Sequence, residues 1–168
     1  NLIQKPVGAV SALFTSVLTP TRREHSRLEW RLAAGAPFLV RGACRFSTGD
    51  AVEISVRDHG DRMFRLVLSR EDDGIHACFD RTELWDSAEE AENVMEFTVP
   101  KSSDLEVTEL QLFVDTCCIE LFLNGGKVTV TELVPWNDGP RRLVVGGSLT
   151  DEGGAPWEVI PLHSVSIE

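Results

Sequence analysis

No stretch of this chain approaches the ~20 consecutive apolar residues that a helix needs to cross a bilayer. No signal peptide is visible either. No Cys-x-x-Cys pair occurs among the four cysteines, so their spacing predicts no structural zinc site. The histidines His25, His59, His76 and His163 are scattered without metal-ligand spacing. The Gly-x-Ser-x-Gly elbow of serine hydrolases is missing. Gly146-Gly147-Ser148 lacks the lysine and the following helix of a phosphate loop. There is no internal repeat and no low-complexity tract. Tyrosine is absent, which leaves Trp30, Trp85, Trp136 and Trp157 as the candidates for stacking on a sugar. Positive charge is scarce: sixteen basic residues against twenty-seven acidic ones give a net charge of −11. That balance argues against nucleic acid or an anionic membrane as a partner. No cofactor is expected.

At 168 residues the length suits one domain. A chain of this size buries roughly 70% of its unfolded surface, enough for a substantial core. The chain starts at Asn1 rather than Met, as a fragment or a processed product would. Cys44 is in phase with Phe38, Val40 and Phe46 and reads as a core thiol. Adjacent Cys117 and Cys118 would make a strained disulfide at best. All four cysteines are expected to be reduced, as is usual in a cytosolic chain, and the expected compartment is the cytoplasm.

Hydrophobic period is the main local signal. Val52, Ile54 and Val56 alternate with polar or small residues, and Phe64, Leu66 and Leu68 recur at the same period of two. The pattern predicts strands over 27–33, 37–46, 51–58, 62–69, 74–80, 94–99, 107–115, 118–124, 127–134, 141–147 and 157–167. Turn signals separate them, among them Ser47-Thr-Gly-Asp50, Asp58-His-Gly-Asp61, Glu71-Asp-Asp-Gly74, Asn137-Asp-Gly-Pro140 and Asp151-Glu-Gly-Gly154. Many short strands without intervening helices predict a sandwich or a barrel. Ser87–Glu92 is a helix candidate, but it is polar throughout and reads as a surface turn.

The stretch from Glu109 to Gly126 carries the most information. Leu110, Leu112 and Val114 alternate with Gln111 and Asp115; Ile119, Leu121 and Leu123 alternate with Glu120 and Asn124. Asp115–Cys118 is expected to be a tight turn between antiparallel neighbours, and Asn124-Gly125-Gly126 a second turn. Lys127–Thr131 continues as a third alternating strand. Leu112, Val114, Leu121 and Phe122 are expected to be mostly buried. Leu121 and Phe122 have opposite phase, so their strand must be covered on both sides.

Phe113-Val114-Asp115, Ile119-Glu120-Leu121-Phe122, Asn124, Gly126 and Thr131 resemble the hairpin of the C-terminal β-sandwich domain of glycoside hydrolase family 32. That family includes invertases, inulinases, levanases and sucrose-6-phosphate hydrolases. The family's two serines are replaced by Cys117 and Cys118, and its Asp-Gly by Gly125-Gly126. Leu2–Val7 is similar to the segment by which the family leaves its catalytic domain. Asp80-Arg81-Thr82 is similar to the family's Asp-Arg-Ser.

The resemblance implies an all-β fold: a two-sheet antiparallel β-sandwich, jelly-roll-like or concanavalin-like. It implies a linker over residues 1–20, leaving a catalytic propeller, and an accessory sandwich over 21–168. The parent reaction implied is retaining hydrolysis of β-fructofuranosidic bonds in sucrose or fructans. The family's Asn-Asp-Pro-Asn-Gly, Arg-Asp-Pro and Glu-Cys motifs, which carry its catalytic acids, are all missing. Trp136-Asn-Asp-Gly-Pro140 and Arg57-Asp-His59 echo two of them but read as turns. No catalytic residue is carried over, so the chain alone is expected not to be an enzyme. Its expected role is to stabilise the propeller of the same polypeptide or to mediate a homodimer. The alternatives are a fructan-binding module and a free-standing sandwich with another binding role. Trp85 and Trp136 adjoin polar loops and are the candidate sugar platforms; Trp30 and Trp157 are expected in the core. Glu120 is the family-matched acid and a candidate for bonding a sugar or the propeller. A Glu at this phase is more often an outward strand residue, paired with a Lys or Thr across the ladder, and that reading is the favoured one.

Overall fold

The computed structural model of the chain describes residues 14–85, 93–100, 107–148 and 157–162. The strands are β1 (Arg22–Glu24), β2 (Arg27–Leu32), β3 (Phe38–Arg45), β4 (Ala51–Arg57), β5 (Met63–Arg70), β6 (Gly74–Asp80), β7 (Val94–Pro100), β8 (Val107–Val114), β9 (Cys118–Leu123), β10 (Val128–Leu133), β11 (Arg141–Gly147) and β12 (Glu158–Pro161). They form a seven-stranded sheet, in the order β1-β2-β11-β4-β5-β6-β7, and a five-stranded sheet, in the order β10-β9-β8-β3-β12. Each pairing is antiparallel. This is the expected two-sheet sandwich.

Alternation along each strand builds the core. One sheet contributes Trp30, Val52, Ile54, Val56, Phe64, Leu66, Leu68, Phe79, Leu143 and Val145, all at most 1% exposed. The other contributes Phe38, Val40, Leu110, Leu112, Val114, Ile119, Leu121 and Leu123, again at most 1% exposed. The Phe64 and Phe79 rings pack at 4.6 Å between centroids. Cys44 lies in this core as expected, and burial pushes its thiol up to about 12. All four cysteines are free thiols.

The outer side of the five-stranded sheet is also covered. Leu39, Phe113 and Ile160 form a second buried cluster, flanked by half-buried Phe14, Phe122 and Leu162. Phe113 and Phe122 meet edge to face at 5.8 Å. This explains how Leu121 and Phe122 both leave solvent: one faces the core and the other faces this cluster.

The described part of the expected linker runs beside β12. The Thr15 N–H donates to the Pro161 carbonyl at 3.2 Å, and the Leu18 N–H to that of Val159 at 2.8 Å. Trp30 Nε1 donates to the Leu18 carbonyl at 3.1 Å. Phe14 bridges Leu162. Residues 14–18 thus cover the edge that β12 would otherwise leave open.

Two glycine positions show why the sequence takes these paths. Asn124, Gly125 and Gly126 have φ of 51°, 66° and 88°, which makes the expected second turn. At Gly42 a Cβ would fall 2.5 Å from the Trp157 ring, so only glycine lets the indole lie across β3. Trp157 is half-buried against the core rather than fully enclosed. Sequence periodicity gives no sign of β1, whose three residues are all exposed. The expected final strand, 157–167, is seen over Glu158–Pro161, and residues 163–168 lie outside the described residues, as does the Ser87–Glu92 candidate.

Candidate functional site

Asp80-Arg81-Thr82 begins at the last residue of β6 and ties the two sheets together. Asp80 Oδ1 accepts the Thr82 N–H at 2.9 Å, and Oδ2 takes Arg65 Nη2 at 2.9 Å. Burial alone would raise the Asp80 pKa, but the bonds from Thr82 and Arg65 and the Arg65 charge outweigh it and hold the carboxyl below its usual range. Arg81 crosses to β10: Nη1 meets Glu132 Oε2 at 3.0 Å and donates to the Leu133 carbonyl at 3.0 Å. Its backbone N–H donates to the Asn93 carbonyl at 2.8 Å.

The loops at one end of the sandwich form a second cluster around Asp58, which is 5% exposed. Its Oδ1 accepts the N–H groups of Gly60 at 2.8 Å and Arg62 at 3.0 Å, and Oδ2 accepts that of Asn137 at 2.9 Å. The two segments that echo catalytic motifs are therefore interlocked loops. Three backbone donors occupy the Asp58 carboxylate, which binds loops together instead of facing a substrate. Arg62 Nη1 reaches the carbonyls of Leu84 and Pro135, each at 3.5 Å. This guanidinium gathers the segments that carry Trp85 and Trp136.

The two tryptophans differ in what they present. Trp136 is half-buried, packs against the core, and has the Arg141 guanidinium 5.1 Å above its ring. Arg141 is 4% exposed and donates to the Asp115 carbonyl at 3.2 Å. Its burial lowers the guanidinium pKa, against the pull of Asp115 and Asp58. Trp85 is 40% exposed. Glu120 stands on the outward face of β9, between Thr131 and Phe113 in register. It has the threonine neighbour expected of an outward residue. The structure brings the Trp85 and Trp136 segments together but joins neither to Glu120.

Sequence spacing missed one cluster, because a β-turn creates it. Glu71, Asp73 and His76, at the β5–β6 turn, hold their ligand atoms within 4.8 Å of one another. His76 Nε2 lies 2.8 Å from Asp73 Oδ1 and 3.8 Å from Glu71 Oε2. The Asp73 hydrogen bond, with the surrounding carboxylates, raises the His76 pKa, and the same bond lowers that of Asp73. The donor set would suit a divalent cation; Glu71 and Asp73 are exposed and His76 is half-buried.

The family comparison decides the assignment: residues 35–153 match the model for "Glycosyl hydrolases family 32 C terminal". The chain belongs to that family. Solved structures agree on the fold of this family 32 C-terminal domain. An exo-inulinase from Aspergillus awamori superposes with a TM-score of 0.70 at 17% identity, over 96% of this chain and 32% of that one. A sucrose-6-phosphate hydrolase from Lactobacillus gasseri gives 0.66 at 16% identity, over 96% and 31%. A family 32 glycoside hydrolase from Bifidobacterium adolescentis gives 0.65 at 18% identity, over 96% and 24%. The chain thus spans about a third or less of the structures it matches. No curated protein sequence matches it.

In the family 32 C-terminal domain the motif residues make turns and ties. Asn124 Oδ1 accepts the Glu109 N–H at 3.0 Å, and Asp115 Oδ1 accepts the Thr116 N–H at 2.7 Å. The Asp115 N–H also closes the expected turn onto the Cys118 carbonyl at 2.9 Å.

Proposed function

We propose that this domain serves as the non-catalytic accessory part of a β-fructosidase whose catalytic propeller hydrolyses sucrose or fructans, and that its work is to stabilise that propeller. The observation that carries the reading is the family match over residues 35–153. The acids of this chain support it from the chemical side. Glycoside hydrolysis needs two carboxyl groups that face the scissile bond. Asp58 is taken up by three backbone N–H groups, Asp80 by Arg65 and Thr82, Glu132 by Arg81, and Glu29 by Arg142. The test is twofold. Purified chain is incubated with sucrose, raffinose and inulin, and fructose release no greater than the blank is expected; turnover would refute the non-catalytic part. The longer polypeptide is then expressed with and without this domain. A shorter half-life of its fructosidase activity on heating is expected without it, and an unchanged half-life would refute the stabilising role.

A second reading, fructan binding, is favoured by the exposure of Trp85 beside the Arg62 junction. Quenching of tryptophan fluorescence by levan or inulin, lost in Trp85→Ala, would support it. Unchanged fluorescence and no retention on immobilised fructan would end it.

A further inference from the structure

The outward face of the seven-stranded sheet carries a row of three arginines. Arg31 on β2 is the direct partner of Arg142 on β11, and Arg142 is the direct partner of Arg57 on β4. Their inward neighbours Trp30, Leu143 and Val56 are buried, so the three side chains leave the sheet on the solvent side. Like charges placed directly opposite on neighbouring strands destabilise a sheet. Here two such pairs adjoin, in a chain whose net charge is −11. Among the outward positions of β1, β2, β11 and β4, Arg22, Arg27, Arg31, Arg57 and Arg142 face only Glu24, Glu29 and Glu53.

Internal contacts do not use up this charge. Arg142 Nη2 bonds Glu29 Oε2 at 2.8 Å. Arg57 Nη1 donates to the Asp61 carbonyl at 2.9 Å and lies 3.7 Å from the Asp61 carboxylate, which is 88% exposed; Nη2 meets Met63 Sδ at 3.3 Å. Arg31 has no hydrogen-bond or ion-pair partner among the described residues. Among the described residues one guanidinium of the row is therefore free, and two keep spare donors.

We propose that the Arg31–Arg142–Arg57 row is an oxyanion site that takes a phosphate dianion, free or carried on a small ester. Adjacent strands lie about 4.8 Å apart, so the row is about 10 Å long. That spacing lets one phosphate bridge two neighbouring guanidinium groups, or a pyrophosphate span all three. Arginine suits the task because its planar fork donates two parallel bonds to such an anion. A long polyanion is disfavoured, since the acidic remainder of the surface would repel it beyond the row.

The full chain is titrated with sodium phosphate, sodium pyrophosphate and glycerol 2-phosphate, with ionic strength held constant by sodium chloride. Arginine side-chain NMR signals and the thermal midpoint are followed. Saturable shifts confined to Arg31, Arg57 and Arg142 are expected, with dissociation constants on the order of 1 mM or tighter, together with a raised midpoint. Equal affinity for free phosphate and ester would assign recognition to the dianion, and tighter ester binding would add contacts beyond it. Arg31→Gln breaks no hydrogen bond or ion pair among the described residues. It should weaken binding about tenfold while leaving the ligand-free midpoint unchanged or higher, and Lys127→Gln, in the turn before β10 of the other sheet, should alter neither. Signals that follow chloride alone, or binding that survives Arg31→Gln, would overturn the proposal.

Discussion

Arg81 and Glu132 join the two sheets through an ion pair at 3.0 Å, with side chains only 13% and 16% exposed. Desolvation makes such a pair costly to build and still more costly to halve. Glu132→Gln removes the carboxylate charge that lies 3.0 Å from the Arg81 guanidinium. The expected loss is about 3 kcal/mol in urea unfolding. Arg81→Met together with Glu132→Leu should regain most of it. A single variant as stable as the parent would show that the sheets are held by packing alone.

Leu121 is fully buried between the sheets and Phe122 is half-buried against Phe113. Leu121→Ala is expected to cost roughly 2–5 kcal/mol. Phe122→Ala should cost less, because its ring is already partly in water. A Leu121→Ala loss under ~0.5 kcal/mol, well below the range for buried leucines, would reverse the phase of β9.

Gly42→Ala places a methyl group where the Trp157 indole lies, at 2.5 Å. Relief requires the ring to swing out or the strand to shift. Overpacking of this kind costs about 1–3 kcal/mol. A red-shifted Trp157 emission should accompany it; an unshifted spectrum with full stability would mean the ring yields freely.

The His76–Asp73 contact sets a pH window. The folded His76 pKa is raised above 6.5 and that of Asp73 is lowered below 3.8. The histidine contribution is therefore fully present below pH 6.5 and is lost as pH rises through the folded value. The aspartate contribution is fully present above pH 3.8 and is lost as pH falls through its folded value. NMR titration of the His76 ring should give a pKa above 6.5, and Asp73→Asn should move it back down. A ring that titrates identically in both proteins would mean the contact does not form in solution.

Much of this architecture was legible because a sandwich strand writes itself as alternation. Val52-x-Ile54-x-Val56 and Leu110-x-Leu112-x-Val114 were strands on sight, and the turns around Asp115 and Asn124 followed from side chains that bond nearby backbone. β1 left no mark, since three exposed residues have no apolar phase. The ties around Asp58, Arg62 and Arg81 were invisible for another reason: each joins segments far apart in the chain, as Asp58 does with Asn137. The arginine row depends on the register of three strands, and register is set by the whole sheet. Trp85 and Trp136 were both singled out by their polar neighbours; that Arg141 covers one of them is a fact of tertiary packing.

The strip formed by residues 14–18 along β12 has a kinetic consequence. Thr15 bonds Pro161 across a separation of 146 residues. A ribosome releases residues 14–18 before any of the described strands and β12 after all the others. The first described segment therefore finds its partner last, and that edge of the sheet closes only once β12 has emerged.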